Sequence, residues 1–186
     1  KITTYAANLN TFGYTVQYAM LKGHGEKIWD WYKELGPHTK PENGAGPMAE
    51  KVASGEYVLA YLTGSASSWS MVRAPGGEQL LGWTYIDDGT PLIPRGVAVA
   101  KAAANPNAAR LMLDYILSEE GQTAFATTHR TVLHPTVTEA ETNGVQTYAS
   151  VVEQVGAENI LPVPYEEDMI TGYDAFVANW KSAFGG

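Results

Sequence analysis

The sequence predicts an α/β fold. Three observations carry that expectation. Short runs of strand-forming residues alternate with longer runs whose apolar residues recur at helical spacing. The 186 residues are 45% hydrophobic and 17% charged, the balance of an ordered globular chain. No internal repeat or low-complexity tract breaks the alternation, which argues against a solenoid.

In chain order, residues 1–7 read as a short strand, and Asn8 to Thr11 is a polar break. Thr11 is a candidate cap for a helix running to Lys22. After Gly23-His24-Gly25, the stretch EKIWDWYKEL places Ile28, Trp29, Tyr32 and Leu35 on one helical face. Gly36-Pro37 ends that helix, and TKPENGAGP reads as a loop. Pro47 suits the first turn of a helix over 47–54, because its missing N–H would be unpaired there anyway. A strand over 57–62 follows, then the loop Thr63-Gly64-Ser65-Ala66-Ser67-Ser68, with a helix expected over 66–73. QLLGWTY (79–85) and GVAVA (96–100) read as further strands, separated by the Gly- and Pro-containing linker 89–95.

The strongest helix start is Asn105-Pro106, a cap followed by proline at the first helical position. Ser118-Glu119-Glu120-Gly121 opens a second helix towards Ala126. Residues 128–146 give no clear period; a helix near 147–156 and an extended Pro-rich segment, LPVPYEED, follow. A last helix is expected over 168–184, with Tyr173, Phe176, Val177 and Trp180 on its buried face.

Composition excludes several functions. The net charge of −8 divides into −2 over residues 1–94 and −6 over 95–186, so a phosphate backbone would be repelled and no nucleic-acid partner is expected. There is no Cys, which removes disulfides, thiolate metal sites and a thiol nucleophile. No apolar run reaches the roughly 18–20 residues of a membrane span. The chain begins at Lys1, inside what reads as a strand and without an initiator Met or a leader, so a processed or cut start is expected.

Enzyme motifs give no support for catalysis. His24, His38, His129 and His134 show no i, i+4 pair and no HExxH, and read as loop histidines; no metal site is expected. GxSxG, the P-loop and GxGxxG do not occur. Asp87-Asp88 before Gly89 reads as a turn, and Glu166-Glu167-Asp168 as acids favoured by a helix start. No catalytic residue and no cofactor are expected.

Binding is better supported. In open α/β sheets, ligands sit beyond the carboxyl ends of strands. Three such ends carry small polar residues: Asn8–Thr11, Gly44-Ala45-Gly46 and Thr63–Ser68. Free N–H groups at helix starts, with serine hydroxyls beside them, suit an anionic or hydrogen-bonding solute. Each neutral hydrogen bond adds about 0.5–1.5 kcal/mol, so several reach the ~8 kcal/mol of micromolar binding. The competing reading is that Ser65, Ser67 and Ser68 merely cap the helix. Trp69 reads more readily as core than as a stacking surface.

A family resemblance rests on Gly55-Glu56, Gly96-Val97-Ala98-Val99, Asn105-Pro106 with Ala108-Ala109, and Ser118-Glu119-Glu120-Gly121-Gln122. Over roughly residues 1–130 the chain resembles the periplasmic solute-binding proteins of bacterial ABC importers, on the branch that includes the ferric-ion-binding proteins. The resemblance implies a type 2 periplasmic-binding-protein-like fold, two α/β lobes closing about a hinge, of which this chain would hold one complete lobe and the C-terminal part of the other. Residues 1–88 would form the second, ligand-binding lobe, 89–95 the crossover, and 96–186 the C-terminal part of the first lobe, whose N-terminal part would lie upstream. It also implies an ABC permease in the inner membrane as partner and a periplasmic location. Ferric members carry adjacent tyrosines after the Gly-Glu strand; here Ser65-Ala66-Ser67-Ser68-Trp69 stands there, and no Tyr-Tyr pair occurs in the sequence.

The expected ligand residues are therefore Thr11, Gly46, Ser65, Ser67 and Ser68, with Thr90 at the crossover, and Tyr5 and Asn8 as secondary candidates. Tyr165 and Glu167 are candidates from the other lobe. The alternatives are a ferric-ion-binding protein using scattered oxygens such as Tyr5 or Tyr165, an extracytoplasmic sensor domain, and a hydrolase. Half a lobe would leave apolar faces uncovered, so dimerisation or strand exchange is expected of this chain.

Overall fold

A computed structural model describes residues 1–185. Its central strand, β1 (Ile2–Tyr5), lies between two parallel neighbours, β2 (Thr39–Glu42) and β3 (Leu59–Ala60). Ile2 pairs with Thr39 on one side and with Leu59 on the other. β1 is unusual for a fully buried strand in carrying Thr3 and Thr4, both 0% exposed. Their hydroxyls are satisfied sideways: Thr3 Oγ1 donates to Lys40 O (2.7 Å) and Thr4 Oγ1 to Tyr61 O (3.1 Å). Buried polar groups that are hydrogen-bonded avoid the desolvation penalty, and here they also lock the order of the strands.

α1 (Thr11–His24) follows β1 and is enclosed along its middle, Gly13 to Met20. A Cβ on Gly13 would stand 2.5 Å from Tyr5 Cβ, so helix and strand approach this closely only because residue 13 is glycine. After a 3-10 turn, α2 (Ile28–Leu35) buries Ile28, Trp29 and Tyr32. These meet Phe176, Trp180 and Phe184 of α10 (Tyr173–Phe184), with Trp29–Phe176 and Tyr32–Phe184 ring centroids 5.1 and 5.2 Å apart. Gln17, fully buried, joins the halves: its Oε1 accepts from Trp180 Nε1 (2.6 Å) and its Nε2 donates to Tyr5 O (2.9 Å).

α3 (Ala45–Ala53) and α4 (Ser65–Val72) complete the strand–helix units after β2 and β3 and pack beside each other. β4 (Thr90–Leu92) and β5 (Ile160–Pro162) form a separate parallel pair against α1. α9 (Asp168–Thr171) leads into α10 and is clasped to α1. Tyr18 OH and Lys22 Nζ both donate to the Asp168 carboxylate, at 2.5 and 2.8 Å, and Tyr14 OH donates to Met169 O. Residues 160–184 thus share the core of the first 93 residues.

α5 (Gly77–Leu80) follows α4, and the intervening chain carries α6 (Pro106–Leu117), α7 (Glu119–Ala126) and α8 (Tyr148–Val155). Its own core is the small cluster Ala126, Val132, Val137 and Val145. None of the α6 residues is buried. Among the described residues no helix is long and apolar enough to cross a membrane.

The alternating α/β order matches expectation, and several local readings do not: the helix expected over 168–184 breaks at Gly172 and leaves Tyr173 37% exposed, and the strand expected over 57–62 shortens to Leu59–Ala60. Residues 79–85 are no strand: α5 occupies 77–80, and the aromatic residues beyond it pack on α4, with Trp83 edge-on to Trp69 (5.0 Å) and to Tyr85 (4.7 Å). The alternation that resembled a ladder is aromatic packing. Residues 96–100 also form no strand among the described residues, because nothing pairs with them there; Val97 is 49% exposed. Conversely, TKPE reads as loop and forms β2. It is an edge strand, and an edge tolerates Pro41, which a central position would not.

Candidate functional site

The three parallel strands end on one side, and each is followed by a helix start. Loop 1 is residues 6–10 before α1, loop 2 is residues 43–44 before α3, and loop 3 is residues 61–64 before α4. The order β2-β1-β3 puts loop 1 in the middle.

Two contacts hold the loops together. Asn10, the N-cap of α1, accepts from Gly13 N at 2.9 Å through Oδ1 and donates through Nδ2 to Asn43 O at 3.0 Å. On the other flank Gly64 lies on the Phe12 ring, and a Cβ there would meet Phe12 Cζ at 3.2 Å. Phe12 is itself fixed edge-on by Tyr5, with centroids 5.2 Å apart. Leu62, buried at 8% exposure, turns the chain into loop 3 with a left-handed φ of 55°. A leucine in that conformation costs on the order of 1–3 kcal/mol, which its burial offsets.

The helix starts differ in how they are capped. Asn10 caps α1, whereas α3 and α4 begin after Gly44 and Gly64 with no side-chain cap. Their first N–H groups have no intrahelical partner. Ser65 and Ser67 therefore do not cap α4, and Ser68 Oγ is paired with Thr63 Oγ1 at 2.9 Å. Pro47 donates nothing, so α3 offers the N–H groups of Ala45 and Gly46, and no atom lies within 4 Å of where a Gly46 Cβ would stand. No ionised side chain occurs among loops 1 to 3 or in the first three residues of the helices that follow them. This wall is uncharged and rich in donors, with glycines and short polar side chains beside the larger Leu9, Phe12 and Tyr61. Chemically it can hold a polar or anionic group and offers no acid–base pair to transform one.

Of the residues expected to bind, Thr11, Gly46, Ser65, Ser67 and Ser68 are brought to this wall, and Asn8 sits in loop 1, partly exposed. Tyr5 ends β1, but its ring is enclosed at 5% exposure and burial raises its phenol pKa. It supports Phe12 from within. Thr90 is not part of the group. Gly89 abuts His24 at the far end of α1, about 20 Å from Thr11 at 1.5 Å per residue. The Thr90 hydroxyl donates to Ile86 O at 2.5 Å. Tyr165 donates to Pro94 O (2.9 Å), and Glu167 precedes the clasp at Lys22, so neither joins the wall. Sequence reasoning missed Asn10 and Asn43. Asn10 was legible as an Asn, the best N-cap type, one residue before the Thr that was chosen.

Two cavities lie away from these loops. One of about 460 Å³ is lined by Arg73, Tyr115, Glu120, His129 and Asn143; Arg73 closes α4 at the end opposite the serines. Another of about 260 Å³ lies between α2 and α10.

Comparison with known proteins agrees with this architecture. A solved structure similar in fold is the substrate-binding protein of an ABC transporter from Agrobacterium tumefaciens, with a TM-score of 0.72 and 21% identity. The alignment covers 100% of this chain and 54% of that one, so this chain spans about half the length of that relative. No curated protein matches the sequence. The family described as bacterial extracellular solute-binding protein matches residues 2–129. With more than half of its length matched, this chain belongs to the bacterial extracellular solute-binding protein family.

Proposed function

We propose that this protein captures a small polar or anionic solute in the periplasm and delivers it to the permease of an ABC importer. The observation that carries the proposal is the convergence of three helix starts, two of them uncapped, on one neutral wall. Free N–H groups at helix N-termini and nearby hydroxyls favour negative charge or hydrogen-bond acceptors. Thr11, Gly46, Ser65, Ser67 and Asn8 are the proposed contacts, with Ser68 held against Thr63 as support.

The second wall belongs to the other lobe. In this reading residues 1–88 form the ligand-binding lobe, 89–95 the crossover, and the chain from 96 onward the C-terminal part of the first lobe, with residues 160–184 returning to the first core. The paired β4 and β5 run beside each other at the crossover, where hinge closure would bend the chain. The apolar face of α6 would be covered by the remainder of that lobe, or in this chain alone by a second copy.

The ferric alternative is less well supported. Iron(III) needs phenolate oxygens here, and the burial that raises the Tyr5 pKa works against ionising it. A sensor domain of the same fold would share the wall and differ in what the full-length gene attaches to it.

The test is native mass spectrometry of the full-length protein from its source. A retained small polar or anionic molecule, lost on unfolding, is the expected result. Protein that arrives empty, and whose melting temperature ignores phosphate, sulfate, carboxylates and polyols alike, would overturn the proposal. A visible charge-transfer band on adding iron would shift the reading to the ferric alternative.

A further inference from the structure

We infer that Asn10 is the positioning residue that sets the separation of the first two solute loops, an inference that rests on the solute-binding reading of that wall. Its side chain is one planar amide with an acceptor and a donor at opposite corners. Both are used, and in different elements. Oδ1 takes the Gly13 N–H in the first turn of α1, and Nδ2 reaches the carbonyl of Asn43, one residue before Gly44, the N-cap position of α3.

Loop 2 is anchored on both flanks, by the fully buried Met48 of α3 and by Lys51 and Tyr57 bonded to Glu42 at the end of β2, while its own residues Asn43 and Gly44 are tied across to α1 by Asn10. β2 is a four-residue edge strand containing Pro41, and α3 has no side-chain cap. The ladder reaches only as far as Glu42 O, which accepts from Ala6 N at 2.9 Å. Beyond it, the Asn10 amide is the link between the start of α1 and the start of α3. Phe12 does the corresponding work on the other flank by packing on Gly64. Residues 10–12 therefore space all three loops: one neighbour by a polar tether, the other by an apolar contact. The gap between the free N–H groups of α1 and those of Ala45 and Gly46 follows from the length of that tether, and with it the size of the polar group the wall accepts.

The chemistry separates this role from simple capping. Serine and aspartate cap helix starts about as well as asparagine. Serine cannot span to Asn43 O, and aspartate has no donor for it and presents an oxygen to a carbonyl. The experiment is 15N relaxation on the full chain, comparing wild type with Asn10→Ser and Asn10→Asp. The amides of Gly44, Ala45 and Gly46 should fall from order parameters of ~0.85 towards 0.6, while Phe12 and Gly13 stay rigid. With inorganic phosphate as probe, Asn10→Ser should weaken binding about tenfold, the factor one lost hydrogen bond is worth.

Loop 2 amides as rigid in both variants as in wild type would overturn the inference. So would loss of order at α1 and α3 together, which would reduce Asn10 to a cap. Wild type indifferent to phosphate would count against the anionic reading of the wall, and the relaxation data would still decide the role of Asn10.

Discussion

α10 and α6 are both twelve-residue helices with apolar faces, and they meet opposite fates. α10 buries Phe176, Trp180 and Phe184 against α2. α6 leaves Leu111 at 72% exposure, Met112 at 56% and Leu117 at 58%. The sequence pattern of α6 is no weaker than that of α10; what differs is whether a partner face lies opposite. The difference teaches that periodicity announces a helix with a side to bury, and says nothing about what buries it. It also separates the molecule by energetic role. The region around sheet β2-β1-β3 is a closed core carrying the candidate wall of loops 1 to 3, and the region around α6 presents an apolar surface.

Mutations that remove a large side chain should break that contrast most visibly. Trp180→Ala takes away a fully enclosed indole and the donor to Gln17, and should lower stability by about 3–5 kcal/mol in denaturant titration. Leu111→Ala should change it by less than about 0.5 kcal/mol in the 186-residue chain. A loss of about 2 kcal/mol or more for Leu111→Ala in the full-length protein would place a cover on α6. The same loss in the chain alone, with sedimentation showing a dimer, would make a second copy that cover.

Gln17→Ala is the next largest change. It leaves the Trp180 N–H and the Tyr5 carbonyl without their partners inside the core, and should lower stability by about 2–4 kcal/mol. A loss under about 1 kcal/mol would mean that other partners, such as a buried water, replace the amide.

Ser65→Asp probes the wall and the core separately. A carboxylate in the first turn of α4 should raise helix stability by about 0.3–1 kcal/mol through the dipole. It should weaken binding of an anionic solute by about tenfold or more, because like charges then face each other at close range. Equal binding by both proteins would remove Ser65 from the site.

The smallest effect is expected at the clasp of α9. Hydrogen bonds from Lys22, then from Tyr18, hold the Asp168 carboxyl below its ordinary value of 3.8. A depressed folded pKa means that the clasp contributes fully above the unfolded value and is lost as pH falls through the folded one. NMR titration should place the Asp168 midpoint below 3.8, with Tyr18 signals moving alongside. A midpoint at or above 3.8 would show the clasp to be open in solution.

Much of the fold was legible in local chemistry. Asn105-Pro106 opens α6, Ser118 caps α7 by accepting from Gly121 N, and the Trp29–Tyr32 spacing faces the core as expected. Strands were read less well, because a strand is completed by its neighbour. GVAVA has strand composition and no ladder, whereas TKPE has poor strand composition and a full register with β1. At the site, the small residues of loops 1 to 3 were legible because strand ends followed by helix starts announce themselves in the chain. Asn10 was overlooked in favour of Thr11, since its second bond goes to a carbonyl 33 residues away. Thr90, expected at the crossover, lies at the far end of α1 from the three loops, because its position depends on how the linker packs on α1.

The sequence by itself determined which segments coil, where most helices begin, and that three strand ends carry short polar side chains. These are local properties, fixed by dihedral preference, capping and periodicity within a few residues. Only the tertiary structure decided that β1 lies between β2 and β3, so that those three ends form one wall while Thr90 lies about 20 Å off along α1. Strand order depends on hydrogen bonds and buried surface between residues distant in the chain, such as Thr3 with Lys40 and Thr4 with Tyr61, and no local pattern encodes which of them will meet.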